Sequence, residues 1–138
     1  MSIYQTLTNS FKQELLEGVH DFTTDTFKMA LYNSTATIGA TTTVYTVTGE
    51  ISGTGYVAGG LVLTGATVQS LGGTAFVNFA DADWNPATFT ARGALIYNAS
   101  KGDKSVAVLD FGADKTASNT FTVQMPSNTA SSALIRFI

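Results

Sequence analysis

Apolar and polar residues alternate most legibly between Thr88 and Phe111. An apolar run, Phe89 to Tyr97, meets a polar loop, Asn98 to Ser105, and a second run, Val106 to Phe111, follows. Two β-rich runs around a loop containing Gly102 predict a hairpin with a longer connection. Both runs carry little charge, which places the pair in the middle of a sheet with its faces covered. Further period-two stretches surround it. Asp25 to Tyr32 alternates Phe27, Met29 and Leu31 with Lys28 and Ala30, predicting one buried and one wet face. Leu61 to Gln69 reads as a strand with Gly65 as a bulge or a point of close approach, and Thr74 to Phe79 follows a Leu71-Gly72-Gly73-Thr74 turn. Asp81 to Pro86 is expected to break the pattern, and Gly112 to Asn119 to form a turn. Thr120 to Met125 and Ala133 to Ile138 complete the set.

Two segments depart from this rhythm. In Met1 to Gly18, Tyr4, Leu7, Phe11 and Leu15 fall at helical spacing, with Ser2 or Thr6 as cap and Gly18 as the left-handed stop. Such a helix serves either as a lid over one open end of the β-body or as an arm docking on another subunit. Thr35 to Gly60 is rich in Gly and Thr. It reads as a long, ordered surface excursion with at most one or two short strands, Thr41 to Val47 being the candidate. Its apolar residues, among them Val44, Tyr45, Ile51 and Tyr56, argue against disorder.

About eight strands at regular spacing with no intervening helices predict an all-β, single-domain antiparallel sandwich or barrel over residues 1–138. The length suits one domain. Only 12% of the 138 residues are charged, the net charge is −3 and cysteine is absent. Lys and Arg form no cluster, so no nucleic-acid partner is expected. No apolar run is long enough for a membrane helix, and no signal peptide is expected.

Candidate chemistry is thin. His20 beside Asp21 reads as a surface or helix-end histidine, and no Gly-x-Ser-x-Gly elbow accompanies it. One histidine without cysteine excludes an ordinary zinc site. Asp81-Ala82-Asp83 lacks the rest of a calcium loop and reads as a turn whose carboxylates accept backbone N–H bonds. Asp103 with Lys101 and Lys104 reads as a solvated hairpin tip. Trp84, Tyr45, Tyr56 and Tyr97 offer either a sugar-stacking platform or, for Trp84, a plug at one sandwich end. No cofactor and no catalytic residue are expected.

The order of motifs carries a likeness. Ser-Phe-Lys-Gln-Glu-Leu-Leu-Glu-Gly-Val-His-Asp-Phe (10–22) is followed by Asp-Thr-Phe-Lys-Met-Ala-Leu-Tyr (25–32). Thr-Gly-Glu-Ile-Ser-Gly-Thr-Gly-Tyr-Val-Ala-Gly-Gly (48–60), Ala-Arg-Gly-Ala-Leu-Ile-Tyr-Asn (91–98) and Val-Ala-Val-Leu-Asp-Phe-Gly (106–112) come after it. The chain resembles small virion proteins of tailed bacteriophages, in particular capsid cement (decoration) proteins with a jelly-roll fold. The resemblance implies a jelly roll made in the host cytoplasm and bound outside the major capsid protein shell. It also implies contacts with copies of itself as a dimer or trimer. On that reading the grips are the first eighteen residues, the excursion and the last strand. The candidate contact residues are Tyr4, Leu7, Phe11, Leu15, Val44, Tyr45, Ile51, Tyr56, Ile135 and Phe137. The alternative is a tail, baseplate or head-fibre module that binds host carbohydrate.

Overall fold

The computed structural model describes residues 3–137. In chain order the elements are β1 (Thr6–Leu7), α1 (Asn9–Leu16), β2 (Phe27–Tyr32), β3 (Leu61–Val62), β4 (Thr67–Leu71), β5 (Thr74–Asn78), β6 (Ala82–Trp84), β7 (Phe89–Asn98), β8 (Lys104–Ala117), β9 (Phe121–Val123) and β10 (Ile135–Phe137). The strands pair antiparallel into a five-stranded sheet ordered β1-β8-β7-β2-β3, a three-stranded sheet β10-β5-β4 and a ribbon β6-β9. The fold is an all-β antiparallel sandwich with one short helix near its N-terminus. The β7–β8 hairpin lies at its centre, as expected of two runs that carry little charge.

The main core lies on one side of the five-stranded sheet. Phe27, Met29 and Leu31 of β2 meet Ile96 and Val106 there, under Phe11, Phe22, Trp84, Phe121 and Ile135. The opposite face is not wet, as the alternation in β2 predicts, but covered. Ala30 and Tyr32 are fully buried in a second, smaller cluster with Ala36, Ile38, Leu95, Tyr97 and Val108. The lid over this face is the first part of the 35–60 excursion, through Ala36, Ile38 and Tyr45, whereas Ile51 and Tyr56 further along it belong to the main core. The excursion makes isolated bridges at Ile38, Val44, Glu50 and Thr54 and contains no extended strand. It follows the sheet through backbone bonds, Tyr45 N to Asp103 O at 2.9 Å, Ile51 N to Leu31 O at 3.1 Å and Asn33 N to Gly49 O at 2.9 Å. The Thr41–Val47 run, expected as a strand, makes only the bridge at Val44.

The helix is shorter than the spacing predicts, and its cap is Thr8, whose hydroxyl accepts the Phe11 N–H at 3.3 Å. Tyr4 and Leu7 precede it. Thr6 and Leu7 pair with Val108 and Ala107 because the edge of β8 offers backbone partners that a further helical turn would forgo. Gly18, at φ 74°, ends the helix as expected. Val19 N bonds Glu14 O at 2.9 Å and Gly18 N bonds Leu15 O at 3.2 Å, which is the Schellman arrangement. Phe11 is completely buried against His20 and Phe22, so α1 packs on its own body.

Three other boundaries move. Ala82–Trp84 is a strand, because β9 supplies its ladder. β8 runs through the expected turn to Ala117, since Gly112, at φ 79°, absorbs the break and Lys115 to Ala117 rejoin β7 at Ala91 to Phe89. The 61–69 stretch splits into β3 and β4 around Gly65.

Phe11→Ala is expected to cost about 3–5 kcal/mol, whereas Leu16→Ala at the exposed face of the same helix stays within about 0.5 kcal/mol. Urea denaturation followed by circular dichroism measures both.

Candidate functional site

The ten candidate contact residues separate by exposure. Phe11, Ile51 and Ile135 lie in the main core, at 0%, 7% and 1% exposure, and are unavailable to a partner. Their apolarity marks packing: Ile135 faces Val77 across β10–β5, and Ile51 is bonded to the end of β2. Leu7, Leu15, Tyr45 and Tyr56 are half-buried. Tyr4, Val44 and Phe137 are exposed, at 67%, 47% and 47%.

Exposed apolar residues occur on both sides of the five-stranded sheet. On the excursion side stand Tyr4, Val44 and Val47; on the helix side stand Leu16, Val68, Leu71 and Phe137; Val57 and Val62 are exposed in the excursion and on the edge strand β3. Leu16, Val47, Val68 and Leu71 were not singled out by the pattern. Leu16 only widens the helical stripe, and Val68 and Leu71 sit in a strand exposed over most of its length. On the helix side an apolar cleft of about 230 Å³ has Leu15 and Phe22 as one wall and Val68, Ala75, Ile135 and Phe137 as the other.

The excursion is held by one carboxylate. Glu50 Oε1 accepts the Tyr45 hydroxyl at 2.5 Å, while Oε2 accepts the Tyr56 hydroxyl at 2.5 Å and the Gly59 N–H at 2.8 Å. The Tyr56 oxygen in turn accepts the Leu31 N–H at 3.0 Å, tying the excursion to β2. Tyr32 donates to Thr46 O at 2.6 Å and Tyr97 to Gly59 O at 2.5 Å. Burial pushes all four of these phenols up, and the Glu50 charge adds to it; Tyr97 reaches about 12. These tyrosines act as fasteners. Tyr45 stacks on Tyr97 at 4.9 Å, and Trp84, 4% exposed, packs inside against Tyr56, Phe89 and Phe121. The four aromatics therefore form no open sugar platform, and Trp84 fills the interior beside the β6–β9 ribbon.

His20 is not a surface residue: its side chain is fully buried. Asn98 Nδ2 donates to His20 Nδ1 at 3.0 Å and to Asp25 Oδ2 at 2.8 Å, while Asn98 Oδ1 accepts the Ser100 N–H at 3.0 Å. That set orients the amide, makes Nδ1 the acceptor and leaves Nε2–H to donate to Glu14 Oε1 at 2.9 Å. Lys101, expected at a solvated tip, bonds both Asp25 oxygens at 3.0 Å. The network joins α1, the 19–26 link and the β7–β8 loop. Burial raises the Asp25 carboxyl, but Asn98, the Asp21 N–H and Lys101 overcome it and hold the group down at about 2.

Asp81 Oδ1 accepts the Met125 N–H at 2.7 Å, a backbone bond of the kind expected, though across β6–β9 and not within a turn. Asp83 Oδ1 accepts the Thr122 hydroxyl at 2.5 Å. Among the described residues no group of His, Asp and Glu is arranged to hold a metal ion.

Glu50→Ala leaves two hydroxyls and one N–H without their acceptor and is expected to cost about 3 kcal/mol, read from denaturant midpoints. The stabilising effect of ionised Asp25 is complete above about pH 4 and is lost as pH falls towards 2. Urea midpoints between pH 5 and pH 2 should therefore fall more steeply for the native chain than for Asp25→Asn.

The chain matches no family model, no curated protein and no solved structure.

Proposed function

We propose that this chain is a virion structural protein: a capsid cement protein, jelly-roll-like, that binds the outside of a tailed phage's major capsid protein lattice and stabilises the expanded head. The observation that carries the reading is the placement of uncharged apolar side chains on both sides of one sheet. Tyr4, Val44 and Val47 lie with the excursion; Leu16, Val68, Leu71 and Phe137 lie with the helix and second sheet. A cement must touch two neighbours at once, and two such surfaces on one sandwich meet that need. The Tyr45, Tyr56 and Tyr97 hydroxyls and the Glu50 and Asp81 carboxylates are meanwhile consumed in internal bonds.

The motif order described above, from the helix-forming start to the Val-Ala-Val-Leu-Asp-Phe-Gly run, supports the same reading. Energetics support it too. A protein that binds only the assembled lattice stabilises that lattice by linkage, and many repeated weak contacts add up to strong retention. Contacts made by apolar surface and backbone groups change little with salt, because few ion pairs enter them. On this reading the chain works by shape, without turning over a substrate.

A gel of purified particles from a phage carrying this gene tests the proposal. The expected band is comparable in copy number to the major capsid protein, and particles lacking the protein lose heat stability while still adsorbing to the host. A few copies per particle, with adsorption lost in its absence, would instead support the tail or head-fibre module.

A further inference from the structure

The strand β4 forms one edge of the three-stranded sheet and is bonded to β5 on one side only. Gly72 and Gly73 both have positive φ, 59° and 86°, so a two-residue turn closes the β4–β5 hairpin with Leu71 opposite Thr74. In such a hairpin the closing pair exchanges both backbone bonds, and bonded and non-bonded pairs alternate from there. Leu71, Gln69 and Thr67 therefore direct their N–H and C=O groups towards β5. Those of Val68 and Ser70 point outwards.

This edge lacks the usual protection. Natural sheets blunt open edges with charges, proline or bulges. The opposite edge, β10, carries Arg136. β4 reads Thr-Val-Gln-Ser-Leu and is the longest uncharged edge strand among the described residues. The thirty residues from Ile51 to Ala80 contain no charged side chain at all. Val68 and Leu71 on this strand are 53% and 69% exposed.

We propose that β4 pairs with β4 of a second copy of this chain, antiparallel across a twofold axis at Gln69, fusing two three-stranded sheets into one. The register follows from which backbone groups are free. With Gln69 facing its counterpart, Val68 of each copy faces Ser70 of the other, and each such pair exchanges both of its bonds. Every outward N–H and C=O of Val68 and Ser70 is then satisfied. The outward groups of Val68 and Ser70 are self-complementary about Gln69, and this symmetry points to a second copy as the occupant. Self-pairing here sets no like charges together, whereas self-pairing of β10 would set Arg136 against Arg136. The Gln69 amide is donor and acceptor at once and so complements itself. Val68, at the rim of the apolar cleft, gains a cross-strand neighbour.

The pairing is a property of the isolated chain and stands apart from the virion proposal. The absence of cysteine allows a direct test by cross-linking. Directly opposed, non-bonded strand positions lie about 4.5 Å apart at Cα, inside the range a disulfide spans. Gln69→Cys should therefore oxidise to a covalent dimer. Leu71→Cys, which would face Thr67 of the second copy, should stay single under the same treatment. Sedimentation of the native protein should give twice the chain mass. Ser70→Pro, which removes an outward N–H, and Val68→Lys, which adds charge to the edge, should each shift it to the single-chain mass with an unchanged circular dichroism spectrum. A native protein that sediments as a single chain at every concentration would overturn the proposal. So would equal cross-linking at both cysteine positions, or a dimer that survives both edge variants.

Discussion

The central sheet is apolar on both faces, and water must be kept from both. Phe27, Met29, Leu31 and Ile96 point one way, while Ala30, Tyr32, Leu95 and Tyr97 point the other, all nearly or fully buried. A β-strand alternates its side chains, so neither set can be hidden by burying the other. Two covers are therefore required. The helix and the two smaller sheets supply most of one, and the 35–60 excursion supplies the second through Ala36, Ile38 and Tyr45 while lending Ile51 and Tyr56 to the first. The excursion is a structural layer, even though it contains almost no regular structure.

Such a layer needs internal partners for its backbone and polar groups, because a ladder does not provide them. Glu50 does much of this work with three donors, two of them phenols drawn from within the excursion itself. At the opposite end of the strands Asn98 plays a comparable part, orienting His20 and Asp25 and so fastening the helix link to the β7–β8 loop. Both devices sit in partly or fully buried settings, where a satisfied polar group specifies geometry and an unsatisfied one is costly. The few titratable side chains of a sparsely charged chain are largely spent on shape. What reaches the solvent is mostly neutral: threonines, loop glycines and two sets of apolar side chains on opposite faces.

Much of the fold was legible in the alternation of side chains. The β7–β8 hairpin, the Gly72–Gly73 turn, the Gly18 stop and the absence of crossover helices all follow from local pattern. The misreadings have a common cause, which is pairing at long range. Thr6 and Leu7 leave the helical stripe because β8 has an open edge, and Ala82–Trp84 becomes a strand because β9 lies beside it. Gly112 looks like a turn but bends a strand whose partner is already in place. Of the candidate contact residues, Phe11, Ile51 and Ile135 stand out in the sequence only by apolarity, which core and surface share. Their burial depends on layers that periodicity does not encode. The Glu50 and Asn98 networks left no local trace at all, since each joins segments far apart in the chain.

Hydrogen exchange resolved by residue tests directly whether the excursion is part of the core. The Tyr45, Ile51 and Gly59 amides, bonded to Asp103 O, Leu31 O and Glu50, should exchange only through the same opening that exposes Leu95 to Tyr97 in β7. Exchange of those three amides within seconds, while β7 remains protected for hours, would contradict the account. The excursion would then be a loop lying over a sheet that is stable without it.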